Sequence, residues 1–252
     1  SSDLVTVSGT HTALMASVLA HGTTLIENAA QEPEIGDVAD CLNKMGARIK
    51  GAGSPTLEIE GVEGLRGADH AVIPDRIEAG TFLCAAAATQ GDLELTDVNP
   101  AHLSSVIEKL RENGVAIEAG PNRIVVYGPH DLAPSDVTTH EYPGFPTDMQ
   151  AQYMALATQA DGTSIITENI FENRFMHAQE MVRMGANIKV EGRRAVVREA
   201  LGLTQGMLAD RRLAVELSAG GIEAPRHILW LGVAEQSSGN FQSAARQFES
   251  LI

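Results

Sequence analysis

Cysteine is nearly missing from this sequence: Cys41 and Cys84 are the whole complement among 252 residues. That is too few for a disulfide framework, and each lies inside an apolar helical pattern, the setting of a small core residue. The eight histidines are scattered, and no Cys/His spacing suits a metal ion. Basic residues are short as well, 18 against 33 acidic ones, for a net charge of −15. This deficit excludes a general binder of nucleic acid and an anionic membrane surface as a partner. An anionic ligand must then be met by a local cluster of Arg and Lys. No apolar run approaches the length of a membrane span, and no basic stretch, apolar run and small-residue cleavage site open the chain. The expected location is cytoplasmic. The sequence starts on strand-like residues without an initiator Met, as a fragment or a processed chain would.

What is present is an ordinary globular mixture, 44% hydrophobic and 20% charged, long enough to bury a substantial core. A repeat runs through it, starting at Gly22, Gly91 and Gly162. Each copy reads as a Gly-initiated strand, a loop with Asn or Pro, an amphipathic helix, a Gly stop and a second strand. Ala-rich helices precede the copies, over Thr10–Ala20, Ile77–Thr89 and Asp148–Thr158. The segments TFLCAAAAT and MQAQYMALAT are apolar nearly all round, so these helices are expected inside the fold, beneath the sheets. One such βαβ-type module cannot bury its own hydrophobic face, and the three are expected to pool theirs.

Two stretches carry the chemistry. YPGFPTDMQAQ, Tyr142 to Gln152, is a Gly/Pro loop running into a helix, with Thr147 as an N-cap type residue and Asp148 in the first turn. A carboxylate there is stabilised by the free amides and the helix dipole, and it can serve either as a cap or as a general base for a hydroxyl group. About twenty residues later comes FENRFMH, Phe171 to His177.

Together these stretches resemble the UDP-N-acetylglucosamine enolpyruvyl transferase family, within the EPSP-synthase-like superfamily. DLVTVSGT, GTTLIENAAQEPEI, LNKMGA and IPDRIEAGTFL extend the resemblance over residues 1 to about 200. It implies an inside-out α/β barrel, three sheets wrapping buried helices, used twice in the full enzyme with the active site between the two domains. It also implies transfer of the enolpyruvyl group of phosphoenolpyruvate to the 3′-hydroxyl of UDP-N-acetylglucosamine, the first committed step of peptidoglycan synthesis, with no metal or redox cofactor. Asp148 matches the catalytic carboxylate at the sugar hydroxyl, and Arg174 an Arg facing phosphoenolpyruvate. Ile170 matches a nucleotide contact, and Val5, Thr6 and Val7 a segment whose backbone faces the uridine diphosphate. Glu32, Asp75 and Arg76 recur in the matched motifs and read as a supporting ion-pair network. His11 and Thr12 depart from the Glu-Asn common at their positions. The shikimate-phosphate enzymes share the fold, but the wording of the two motifs favours the nucleotide-sugar branch.

The family's Lys-Asn pair and its mobile loop with Cys and Arg match nothing here, since Cys41 and Cys84 fall on core helices, and its final Arg-bearing segment has no clear counterpart. The chain alone is therefore expected to turn over weakly or not at all. Beyond residue 200 the resemblance fades into a helical segment over 201–252, and residues 225–252 resemble one tetratricopeptide unit, with Leu231, Gly232, Gly239, Phe241, Ala244 and Phe248 at its spacing. A non-catalytic interaction module binding a protein partner through that hairpin is the alternative reading.

Overall fold

The computed structural model describes residues 5–199. The helical segment expected over 201–252, with its hairpin and partner surface, lies outside the described residues. Helix α1 (Val7–Ser17) leads into the first unit, made of β1 (Thr23–Glu27), α2 (Pro33–Lys44), β2 (Arg48–Lys50) and β3 (Thr56–Glu60). Helix α3 (Arg76–Ala88) leads into the second, with β4 (Asp92–Thr96), α4 (Ser104–Glu112), β5 (Ala116–Ala119) and β6 (Arg123–Tyr127). In the third, β7 (Val137–Thr138) and α5 (Gln150–Ala157) come before β8 (Thr163–Thr167), α6 (Met176–Arg183), β9 (Asn187–Glu191) and β10 (Arg194–Arg198). The last strand of each unit inserts between the other two, giving the orders β1-β3-β2, β4-β6-β5 and β7-β8-β10-β9. All pairings are antiparallel except β7 on β8.

The expected Gly stops are Gly46, Gly114 and Gly185, all at positive φ directly after α2, α4 and α6, where a residue without a Cβ closes the last turn. Alternation then sets the layers. Leu57 and Ile59 of β3, Ile124 and Val126 of β6, and Ala195 and Val197 of β10 point inward, while their neighbours Glu58, Glu60, Arg123 and Arg198 face solvent. One face of each sheet is covered and the other is open. Helices α3 and α5 lie under the covered faces, burying Leu83, Cys84, Ala86 and Ala87 on one and Tyr153, Met154, Leu156 and Ala157 on the other. Burial pushes the Cys84 thiol up to about 12, which keeps it protonated and inert.

Two expectations change. The first helix starts earlier than Thr10, at Val7, because Thr6 caps it, accepting a hydrogen bond from Gly9 N at 3.3 Å; unlike α3 and α5, it leaves Met15 half-exposed. The three units also do not pool one interior. Leu14, Ile35, Ala39, Leu57 and Ile59 close a core of the first unit alone, with α1 and α2 on the same sheet. The second and third units share a larger one. Between the two runs an irregular stretch, residues 61–75, rich in glycine and charge, whose Leu65 packs on the first core. Among the described residues no helix is long and apolar enough to cross a membrane.

A further regularity ties the end of each unit to its start. Gly61 N donates to Gly22 O, Gly128 N to Gly91 O and Glu199 N to Gly162 O. At Gly128 a Cβ would lie 2.4 Å from the carbonyl carbon of Gln90, a backbone atom that cannot swing aside. Gly128→Ala is expected to lower stability by about 2 kcal/mol, measured by denaturant unfolding; a variant as stable as the wild type would contradict this packing.

Candidate functional site

Asp148 and Arg174 meet. Arg174 Nη2 donates to Asp148 Oδ1 at 2.6 Å, with both side chains partly exposed, 36% and 55%. Asp148 sits in a 3₁₀ turn, Thr147–Met149, that feeds α5. Arg174 comes from the turn before α6, and its guanidinium lies 5.0 Å above the ring of Phe171. The second arm of the guanidinium, Nη1, donates to Thr147 Oγ1 at 2.7 Å. Thr147 therefore does not cap the helix: its hydroxyl is engaged elsewhere, and Pro146 holds the cap position with no side-chain bond.

Beneath the pair lies a residue that the motif reading missed. Glu168, 1% exposed, ends the inward row of β8. Its Oε1 accepts from Thr139 Oγ1 at 2.9 Å, Ile170 N at 2.8 Å and Phe171 N at 3.0 Å. Its Oε2 accepts from Thr147 Oγ1 at 2.7 Å and Gln150 Nε2 at 3.1 Å. Burial raises the affinity of this carboxyl for a proton, but the donors from Phe171, Thr147, Thr139 and Ile170 outweigh it and hold the group below its ordinary value. The bonds fix the turn after β8, and Thr139 Oγ1 and Arg193 Nη1 pin Asn169 by its N–H and carbonyl as well. A signal existed in the sequence. In TSIITE the period of two puts Glu168 in line with Ser164 and Ile166, and an acid on an inward row must find donors. His177 follows on α6 with its ring half-buried; burial, then the nearby Arg174, push it below its ordinary range. A neutral ring leaves Arg174 without a competing cation.

The remaining expected residues fall on both cores. Val5 packs on the first, and Thr6 and Val7 start α1 there. Ile170 is half-buried in the turn after β8, its N–H on Glu168. Asp75 caps α3, accepting from Ile77 N and Glu78 N at 2.8 and 3.1 Å. The ion-pair network differs from the expected one: Arg76 pairs with Glu34, Nε to Oε1 at 2.9 Å, and not with Glu32. Glu32 stands at the cap position before Pro33, buried, with its Oε2 unpartnered among the described residues. Arg76 also lies 5.5 Å from the ring centre of Tyr142. It thereby joins the first core to the loop leading to Asp148.

Glu168→Gln keeps the volume but turns an N–H toward groups that already donate. A loss of about 2–3 kcal/mol is expected at pH 7. Because the folded carboxyl titrates below its ordinary 4.5, the stability it contributes is complete above that value and disappears as pH falls through the lowered one. The gap between wild type and variant should narrow in acid; an equal gap by denaturant unfolding at pH 7 and in acid would refute the assignment.

Known proteins share this arrangement of units. A family model described as EPSP synthase (3-phosphoshikimate 1-carboxyvinyltransferase) matches residues 1–235, beyond the point near 200 where the motif wording thins. The UDP-N-acetylglucosamine 1-carboxyvinyltransferase of Koribacter versatilis is 60% identical over 194 residues, 77% of this chain and 45% of that protein. The protein of the same name from Acidobacterium capsulatum is 57% identical over 218 residues, 85% of this chain and 50% of the relative. Among solved structures, the enolpyruvyl transferase NikO from Streptomyces tendae aligns with a TM-score of 0.69 at 28% identity, covering 77% of this chain and 46% of that one. The chain spans about half the length of the curated relatives it matches. With a family model over most of its length and relatives this close, the chain belongs to the EPSP synthase (3-phosphoshikimate 1-carboxyvinyltransferase) family.

Proposed function

We propose that this chain carries the hydroxyl-activating part of an enolpyruvyl transferase acting on UDP-N-acetylglucosamine and phosphoenolpyruvate. The observation that carries the reading is the Asp148–Arg174 pair, 2.6 Å apart and open to solvent above a buried scaffold. The names of the close relatives support the nucleotide sugar as acceptor over shikimate phosphate. Peptidoglycan synthesis, and through it cell shape and division, is then the process served, in the cytoplasm where both substrates are made.

In this reading Asp148 takes the proton of the sugar 3′-hydroxyl as its oxygen bonds to the central carbon of phosphoenolpyruvate, while the terminal carbon of the double bond gains a proton. Phosphate then leaves with its bridging oxygen, and loss of a proton from the terminal carbon restores the double bond. Among the described residues Arg174 uses two of its five N–H donors. The others are available to an oxyanion of phosphoenolpyruvate, for which a planar guanidinium is suited. Val5, Thr6 and Val7 at the first core and Ile170 in the turn after β8 suit a nucleotide lying across the seam that Arg76 joins. The open-faced sheets over buried helices suit the inside-out barrel, with the second and third units in one barrel and the first in another.

Calorimetric titration of the purified chain with UDP-N-acetylglucosamine tests the reading. Saturable heat, weakened about tenfold or more by Asp148→Ala, is the expected result; no heat from a folded wild-type chain would overturn it. In a phosphate-release assay with both substrates the 252-residue chain should turn over weakly or not at all. Full turnover dependent on Asp148 would show that these residues alone complete the site.

A further inference from the structure

We infer that Glu168 is a positioning residue for the Asp148–Arg174 pair, acting through the Thr147 hydroxyl. The inference rests on the functional reading above only for the ligand used in one arm of its test. Hydrogen-bond directions in the relay are forced by chemistry. A guanidinium can only donate, so Thr147 Oγ1 accepts from Arg174 Nη1 at 2.7 Å. An ionised carboxylate can only accept, so the single Thr147 proton points to Glu168 Oε2, also at 2.7 Å. The hydroxyl thus bridges a buried anion to a cation, and its rotor is locked by both. Arg174 is held at one arm by this bridge, leaving its other arm directed at Asp148 Oδ1.

Two roles of Glu168 separate here. Through Oε1 it receives Ile170 N and Phe171 N and holds the turn after β8. Through Oε2 and Thr147 it reaches Arg174. Thr147→Val removes the second connection at nearly constant volume and leaves the first. Because Thr147→Val also removes the acceptor of Arg174 Nη1 itself, Glu168→Gln, which keeps that hydroxyl, reads whether the hold on Arg174 depends on Glu168. Asp148 is the neighbour of Thr147 in the chain, so the relay aligns both members of the pair.

The guanidinium ¹⁵N resonances of the full chain report the relay directly, with the Arg174 signals identified by their loss in Arg174→Lys. In the wild type, restricted rotation should keep the two Nη signals distinct. They should coalesce in Thr147→Val, which retains the fold by circular dichroism, and separate again in Thr147→Ser, which restores the hydroxyl. Unchanged Arg174 signals in Thr147→Val, or in Glu168→Gln with the fold retained, would overturn the inference, whatever the ligand does. Titration with UDP-N-acetylglucosamine adds the functional arm: affinity about tenfold weaker in Thr147→Val and within about threefold of wild type in Thr147→Ser is expected. Binding weakened by Asp148→Ala but not by Thr147→Val would count against positioning alone. Binding indifferent to Asp148→Ala would remove the functional reading, and the relay would still stand or fall on the Arg174 signals.

Discussion

A buried carboxylate that meets no cation in an ion pair among the described residues is the constraint on which the third unit depends. Glu168 is 1% exposed, and five donors converge on its two oxygens: three hydroxyl or amide side chains and two backbone N–H groups. An unpaired charge in an apolar interior is costly, and the cost is met only when most lone pairs are filled. Satisfying this one group therefore dictates several others. Thr139 must follow β7 with its hydroxyl inward, Gln150 must begin α5 facing the strand, and the chain after Glu168 must turn back at once so that the amides of Ile170 and Phe171 reach it. Together these requirements draw the end of β7, YPGFPTDMQAQ and ITENIFENR to one point.

The two cores give the opposite kind of constraint. Hydrophobic burial is non-directional, and each core closes on its own sheet and helices. What joins them among the described residues is polar and sparse. Arg76 reaches Glu34 on one side and the Tyr142 ring on the other, and its side chain is only 10% exposed. A pair this buried is costly to break, and its energy depends on direction, unlike that of the cores on either side. The seam is thus joined by directional contacts among the described residues.

Much of this was legible in the residues. The Gly stops, the strand alternation and the apolar helices located every unit, because each rests on a local rule of backbone or periodicity. Asp148 and Arg174 were legible through motif resemblance, and the structure brings them together. What the sequence did not disclose was relational. Nothing local distinguishes three units sharing one core from one unit beside two, although the glycines and charges of residues 61–75 marked the break. Thr147 read as a cap because its type and place fit that role, but two ionised partners compete more strongly for its hydroxyl than a backbone amide does. Glu32 and Glu34 are a residue apart in QEPEI, and only the direction of the first turn of α2 decides which meets Arg76.

The placement of the pair follows from the difference between exposed and buried charge. Asp148 and Arg174 are both open to water, and an ion pair in such a setting contributes little to stability and pays for its order in side-chain entropy. Left to itself it would sample many geometries. A reacting hydroxyl, however, needs its acceptor held in place before it arrives. On the proposed reading the two tasks are separated: order comes from below, where Glu168 and Thr147 are hydrogen-bonded to each other, and the carboxylate above stays accessible. In a chain of net charge −15, this also sets a guanidinium at the carboxylate that the proposed reading turns toward an anionic substrate. The surrounding field repels such a ligand, so attraction has to come from a cation fixed at close range.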